Sequence, residues 1–137
     1  TNQWRDNLDL IKTVFEAMNV EYTAVMRRCS SQGWWANWDD SPPSVWLTAW
    51  IVQTLRHVTF QDWEDFIYID PMIISSYVLW LLNYQNHEGA FIETSHYAKV
   101  PLHKPMTTSM QGNVTKHVAL TAHVLITLEV SAPVLQV

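Results

Sequence analysis

The 137-residue chain predicts an all-α fold on three observations. It holds only three Gly, too little material for a set of tight β-hairpin turns. Its apolar residues recur at the i, i+3, i+4 spacing of a helix face. One stretch of helical sequence also occurs twice, with a second helical segment between the copies.

Each element has its own signals. Leu8, Ile11, Val14, Phe15 and Met18 form the apolar stripe of an amphipathic first helix running to about Arg27. Gly33 and the tract Asp39-Asp40-Ser41-Pro42-Pro43 break it, and Ser44 stands where a helix N-cap belongs. Val45 to Val58 is apolar nearly all round, which predicts a buried helix. Asp70-Pro71 is a further start, Asp capping and Pro at the first helical position, and that helix should reach about Tyr84. Asn86 to Lys116, with Pro101, Pro105 and Gly112, reads as a long connection before a last helix from about Val118 to Val130.

The repeat defines the organisation. Val45-Trp46-Leu47-Thr48-Ala49-Trp50-Ile51-Val52-Gln53-Thr54-Leu55 recurs 73 residues later as Val118-Ala119-Leu120-Thr121-Ala122-His123-Val124-Leu125-Ile126-Thr127-Leu128, with six of eleven positions identical. A Gly-aromatic turn precedes each copy, Gly33-Trp34-Trp35 in one case and Gly89-Ala90-Phe91 in the other. The unit is therefore an outer helix, a Gly-aromatic turn and a buried Leu-Thr-Ala helix, present twice. Repeated helical hairpins bury their apolar faces only by stacking, so two units predict an arc of an α/α toroid with an apolar flank open at each end. Residues 1–137 then form a single partial domain. The opening Thr1-Asn2-Gln3-Trp4, with no initiator Met and no signal segment, reads as part of something longer.

Composition narrows the function. An apolar content of 48% with 15% charged residues describes a core-building chain, and eight Trp demand extensive aromatic packing. A net charge of -5 with eight Lys+Arg argues against nucleic acid and against an anionic membrane surface. No apolar run approaches the ~18–20 residues that span a bilayer, so nothing transmembrane and no membrane insertion is expected. The single cysteine, Cys29, excludes an internal disulfide framework and a Cys-rich zinc site. His57, His87, His96, His103, His117 and His123 include no helical i, i+4 pair, so no metal site is expected. Asp39-Asp40 and Asp62, Glu64 and Asp65 fall between helices, as caps and solvated charge or as a docking surface for a basic partner. Trp34, Trp35 and Trp38 form an aromatic turn better suited to core packing than to an exposed patch. Asn113-Val114-Thr115 is a glycosylation sequon, informative if the chain is secreted.

Ser44-Val45-Trp46-Leu47-Thr48-Ala49-Trp50 resembles the Ser-Thr-Trp-Leu-Thr-Ala-Phe/Tyr segment of thioester-containing domains in the alpha-2-macroglobulin and complement superfamily. Ile69-Asp70, Trp80-Leu81-Leu82, Gln85 through Gly89-Ala90-Phe91, and Val118-Ala119-Leu120-Thr121-Ala122 continue the likeness in order along nearly the whole chain. Within the superfamily the chain looks most like invertebrate thioester or macroglobulin-complement-related proteins. The resemblance implies an α/α toroid of six hairpins in a secreted innate-immune protein. In active members a Cys-Gly-Glu-Gln motif forms an internal thioester that acylates a microbial surface or a trapped protease once. This is nucleophilic acyl transfer without turnover and without a cofactor.

Two residues could touch that chemistry. Pro101-Leu102-His103-Lys104-Pro105-Met106 resembles the family's Pro-Val-Ile-His-Gln-Glu-Met, which makes His103 the candidate thioester-directing imidazole. In members that carry it, this His takes the acyl group first and steers it to hydroxyl acceptors. The loop before His103 is a few residues long for the pattern and Pro105 replaces an acidic residue, so His96 is the alternative occupant. Cys29-Ser30-Ser31-Gln32 has the Cys-x-x-Gln spacing of a thioester ring, but it lies at the end of the first helix and lacks the Gly and Glu. The family motif belongs N-terminal to Thr1, and Cys29 reads as a partly buried free thiol.

Three functions follow in order. The first is covalent tagging of microbes or trapping of proteases by a thioester-bearing protein. The second is a thioester-less toroid binding a cell-surface receptor, a pathogen ligand or a junction partner non-covalently, with self-association through the hairpin flanks. The third is a terpenoid cyclase or prenyltransferase, toroids with similar Gly-aromatic repeats. Asp39-Asp40-Ser41-Pro42-Pro43 fits neither an acid motif nor a diphosphate motif of those enzymes.

Overall fold

The computed structural model describes residues 2–28, 33–36, 41–59, 67–94 and 114–135. It is all-α over these residues: α1 (Asn2–Met26), α2 (Val45–Thr59), α3 (Pro71–Leu82) and α4 (Val114–Leu135). The starts are written in the sequence. Ser44 caps α2, its Oγ accepting from the Leu47 N–H at 3.2 Å. Asp70 caps α3, Oδ1 accepting from the Met72 N–H at 2.9 Å with Pro71 at the first position.

Two ends differ from expectation. α3 stops at Leu82 because the chain then tightens into i→i−3 bonds, Asn83 N–H to the Trp80 carbonyl at 3.1 Å and Tyr84 N–H to Leu81 at 3.0 Å. α4 runs four residues earlier and five later than the repeat suggests, through Pro133, which sits in its last turn. Pro there gives up the N–H bond to the carbonyl four residues back, and the helix ends two residues later.

The extended α4 also corrects the expectation about membrane-length segments. Val118–Leu135 is long and apolar enough to cross a bilayer, although polar residues interrupt every apolar run in it. Two of those polar residues, His123 and Thr127, bond to α2, and Ser131 is fully buried with its hydroxyl unpartnered.

Hydrogen bonds pair Trp46 with His123, Gln53 with Thr127 and Arg56 with Val130. Both series ascend together, so α2 and α4 lie side by side and parallel, and α3 packs against both. One core cluster gathers Trp35, Val52, Leu55, Ile74, Tyr77 and Val78. The other gathers Val45, Ala49, Leu81, Phe91, Leu120 and Val124 between α2 and α4.

The Gly-aromatic turns dock on the Leu-Thr-Ala helices by the same bond in both units. The Trp35 N–H donates to Thr48 Oγ1 at 3.0 Å, and the Phe91 N–H donates to Thr121 Oγ1 at 2.9 Å. Thr48 and Thr121 are the same repeat position. Gly33 and Gly89 precede these aromatics by two residues, at φ 83° and 90°, the left-handed region that favours glycine.

Several faces stay open. Among the described residues, Met18, Tyr22 and Met26 of α1 pack against the core, while Leu8, Ile11 and Val14 of its stripe are exposed. α2, expected to be buried all round, exposes Trp50, Thr54 and His57. α4 exposes Val118, Ala122, Leu125 and Ile126.

Candidate functional site

The N-terminal end of α2 is built around one carboxylate. Glu93, 3% exposed, accepts from the backbone N–H groups of Val45 (2.6 Å), Trp46 (3.1 Å) and Thr94 (2.8 Å). The Ser44 hydroxyl adds a fourth bond at 3.3 Å. Three of these partners lie at the start of α2, where unpaired N–H groups and the helix dipole favour an acceptor. Burial pushes the Glu93 carboxyl above its ordinary value of 4.5, and the four bonds pull against it. Tyr84 is raised too, first by burial and then by the Glu93 charge.

Glu93 is held from the other side by the turn before it. Asn86 Oδ1 accepts from the N–H groups of Glu88 (3.0 Å) and Ala90 (2.9 Å), and the Ile92 N–H bonds to the Tyr84 carbonyl at 2.9 Å. Beyond it, Thr94 Oγ1 donates to the Pro43 carbonyl at 2.8 Å. Residue 94 is thus fastened to the N-terminal end of α2, and α4 begins at residue 114.

The second polar group lies along the α2–α4 interface. The His123 and Trp46 rings stack at 3.9 Å between centroids and 13° between planes. His123 Nε2 lies 3.1 Å from the Trp46 carbonyl, which can only accept, so Nε2 carries the hydrogen and Nδ1 is an acceptor. Gln53 Nε2 faces that Nδ1 at 3.4 Å and donates to Thr127 Oγ1 (2.8 Å) and the His123 carbonyl (3.1 Å). Thr127 Oγ1 donates to the Ala49 carbonyl at 3.1 Å, and Arg56 Nε donates to Val130 at 2.9 Å. Burial holds the imidazole below its ordinary value of 6.5, against the bond to Trp46.

Of the residues singled out in the sequence, Cys29, Trp38, Asp39, Asp40, Asp62, Glu64, Asp65, His96, His103 and Asn113 lie outside the described residues, as does the His117 side chain. Trp35 is in the core, packed against Tyr77 with centroids 6.3 Å apart, as its turn position suggests. His57 and His87 are exposed. Sequence reasoning passed over Glu93 and the Trp46–Gln53–His123 group. Glu93 had a local signal, an acid two residues past the Gly-aromatic pair. The other group shows only where the repeat copies differ, Trp50 against His123 and Gln53 against Ile126.

Among the described residues no three His, Cys, Asp or Glu side chains gather as a metal-binding group. Two shallow cavities are lined by described residues. One, of about 400 Å³, lies between the Gly89 turn and the Val118–Leu125 face of α4. The other, of about 290 Å³, is lined by Gln53, Arg56, His57, Val130 and Pro133 at the C-terminal ends of α2 and α4.

Comparison with known proteins agrees with this architecture. Complement C3 from Oncorhynchus mykiss is 29% identical over 136 residues, covering 98% of this chain and 8% of that protein. The chain therefore spans a small part of its relative. The family model for the A-macroglobulin TED domain matches residues 1–137. With the match running end to end on an all-helical chain, the protein belongs to the A-macroglobulin TED domain family.

Proposed function

We propose that this chain is part of the thioester domain of an extracellular, complement-like protein, and that it helps present an acyl group to a microbial surface or a protease. The observation that carries the reading is the fastening of the chain on both sides of residues 95–113. Glu93 and Thr94 tie one end to the start of α2, and α4 begins at the other. The two helices run parallel, so both attachment points share one end of the bundle. In this reading the His103 segment, anchored there by both of its flanks, is where an activated acyl group is met. That end is held by backbone bonds to a buried carboxylate, a rigid support for positioning chemistry.

In this reading His103 acts as the first acceptor. Its neutral imidazole attacks the thioester carbonyl, the Cys sulfur leaves as thiolate, and the acyl-imidazole passes the acyl group to a hydroxyl whose proton the thiolate takes. Each protein molecule reacts once, with neither metal nor cofactor. The Cys-Gly-Glu-Gln motif does not occur among these 137 residues, so the acyl group comes from elsewhere in the protein that carries this domain.

Methylamine treatment of that protein tests the reading. Incorporation at a Gln, with one new free thiol by mass spectrometry, supports it, and His103→Ala should then move acylation from hydroxyl to amine acceptors. No incorporation into freshly purified protein would leave the toroid as a non-covalent binding module for a receptor or pathogen protein. Asn113 is the proposed glycan site on the same segment, to be read from the same peptide maps.

A further inference from the structure

The α2–α4 interface is apolar except for one group, and that group holds the only imidazole buried between helices among the described residues. We propose that His123 is an acid-released staple: its neutral ring locks α2 to α4, and a proton taken up at Nδ1 unlocks them. The inference is independent of any thioester.

The geometry assigns every bond to the neutral form. Nε2–H donates to the Trp46 carbonyl and Nδ1 faces the Gln53 amide nitrogen. Protonation puts a hydrogen on Nδ1, so two donors then confront each other. Gln53 could relieve this only by turning its carbonyl to the ring. It would then withdraw its N–H groups from Thr127 Oγ1 and the His123 carbonyl, the bonds that tie α2 to the next turn of α4. Stacking on Trp46 gives the imidazolium some cation–π attraction. That attraction does not replace the solvent and partners a half-buried cation has lost.

Among the described residues no carboxylate stands ready to stabilise the charge. On α2 the groups along this face are Gln53 and, one turn on, Arg56, a like charge whose Nε is bonded to Val130. His57 is exposed beyond it. Glu93 lies behind Trp46, bonded to its N–H. α3 carries no Asp, Glu, Lys, Arg or His, and on α4 the acid is the exposed Glu129. Trp46 is thereby gripped from both sides, its N–H by Glu93 and its carbonyl by His123. Releasing one grip loosens the start of α2 as well as its side.

The test is ring-nitrogen NMR and amide exchange on the chain between pH 7.5 and 5. The expected result is an Nε2–H tautomer at pH 7.5 and a His123 titration midpoint below 6.5. Beyond the intrinsic pH dependence, amides of α2 and α4 should lose protection by about tenfold for each unit of depression, since both states are linked through one proton. His123→Phe keeps the stacked ring and removes the titration, so the extra loss should vanish. A midpoint at or above 6.5, an Nδ1–H tautomer, or equal acid sensitivity in His123→Phe would overturn the proposal. Loss of the whole fold in His123→Phe would leave the wild-type tautomer and midpoint to decide it.

Discussion

Gly33 and Gly89 open equivalent turns and share a left-handed backbone, yet a methyl group would meet different surroundings at the two positions. A Cβ at Gly33 would stand 2.6 Å from the Ser76 carbonyl oxygen, backbone that cannot swing away, whereas at Gly89 the nearest atom is Gln85 Nε2 at 3.9 Å. Gly89→Ala should cost about 1–2 kcal/mol, the price of φ alone. Gly33→Ala adds the overlap with α3 and should cost at least ~2 kcal/mol, read as a larger shift in the urea midpoint. Thr48→Val and Thr121→Val each strand a backbone N–H, and should cost about 1–3 kcal/mol by the same measurement. Glu93→Ala releases several donors together, so its loss should exceed either Thr substitution. The Gly-aromatic pairs and the Leu-Thr-Ala helices were both visible in the sequence. The bonds joining them were not, because spacing along the chain says nothing of which hydroxyl faces which amide.

Whole elements were easier to read than their edges. Ser44 and Asp70-Pro71 announce the starts of α2 and α3 because a cap is a local bond, made within three residues. The end of α3 and both ends of α4 were missed because they depend on how the last turn tightens and on what Pro133 is allowed to forgo. Burial was misjudged for the same reason. An apolar helix is buried only where a neighbour lies, and Trp50, Leu79 and Leu125 have none among the described residues. Polar groups between elements escaped notice altogether, and they set the pH response. Glu93, raised by burial, contributes its stability fully below pH 4.5 and loses it as pH rises through its folded value. His123, lowered by burial, contributes above pH 6.5 and loses its share as pH falls. Thermal midpoints of Glu93→Gln relative to wild type should therefore improve as pH rises from 4 to 7, whatever the absolute cost of the substitution.

At the scale of the molecule, the repeat register explains which faces are open. Val118, Ala122 and Leu125 of α4 are exposed, while their counterparts Val45, Ala49 and Val52 are fully buried. Conversely, Trp50, Thr54 and His57 of α2 are exposed, while their counterparts His123, Thr127 and Val130 are turned against α2. The arc thus ends in the two halves of one kind of interface, as the sequence repeat implied. The chain by itself should bind an apolar-surface dye or self-associate, by fluorescence and sedimentation respectively. Leu125→Glu should reduce both while changing the unfolding free energy by less than ~0.5 kcal/mol, since it alters an exposed position.

The two turn-to-helix bonds also imply an order of assembly. Trp35 and Thr48 are 13 residues apart, Phe91 and Thr121 are 30 apart, and the bond each pair makes is the same. The longer closure loses more chain entropy, by about 0.7 kcal/mol from the logarithm of the two lengths. With equal rewards and unequal closures, the first hairpin should form early and template the second. Thr48→Val should then slow refolding, and Thr121→Val should mainly hasten unfolding. Two copies of one motif would in that case occupy opposite sides of the folding barrier.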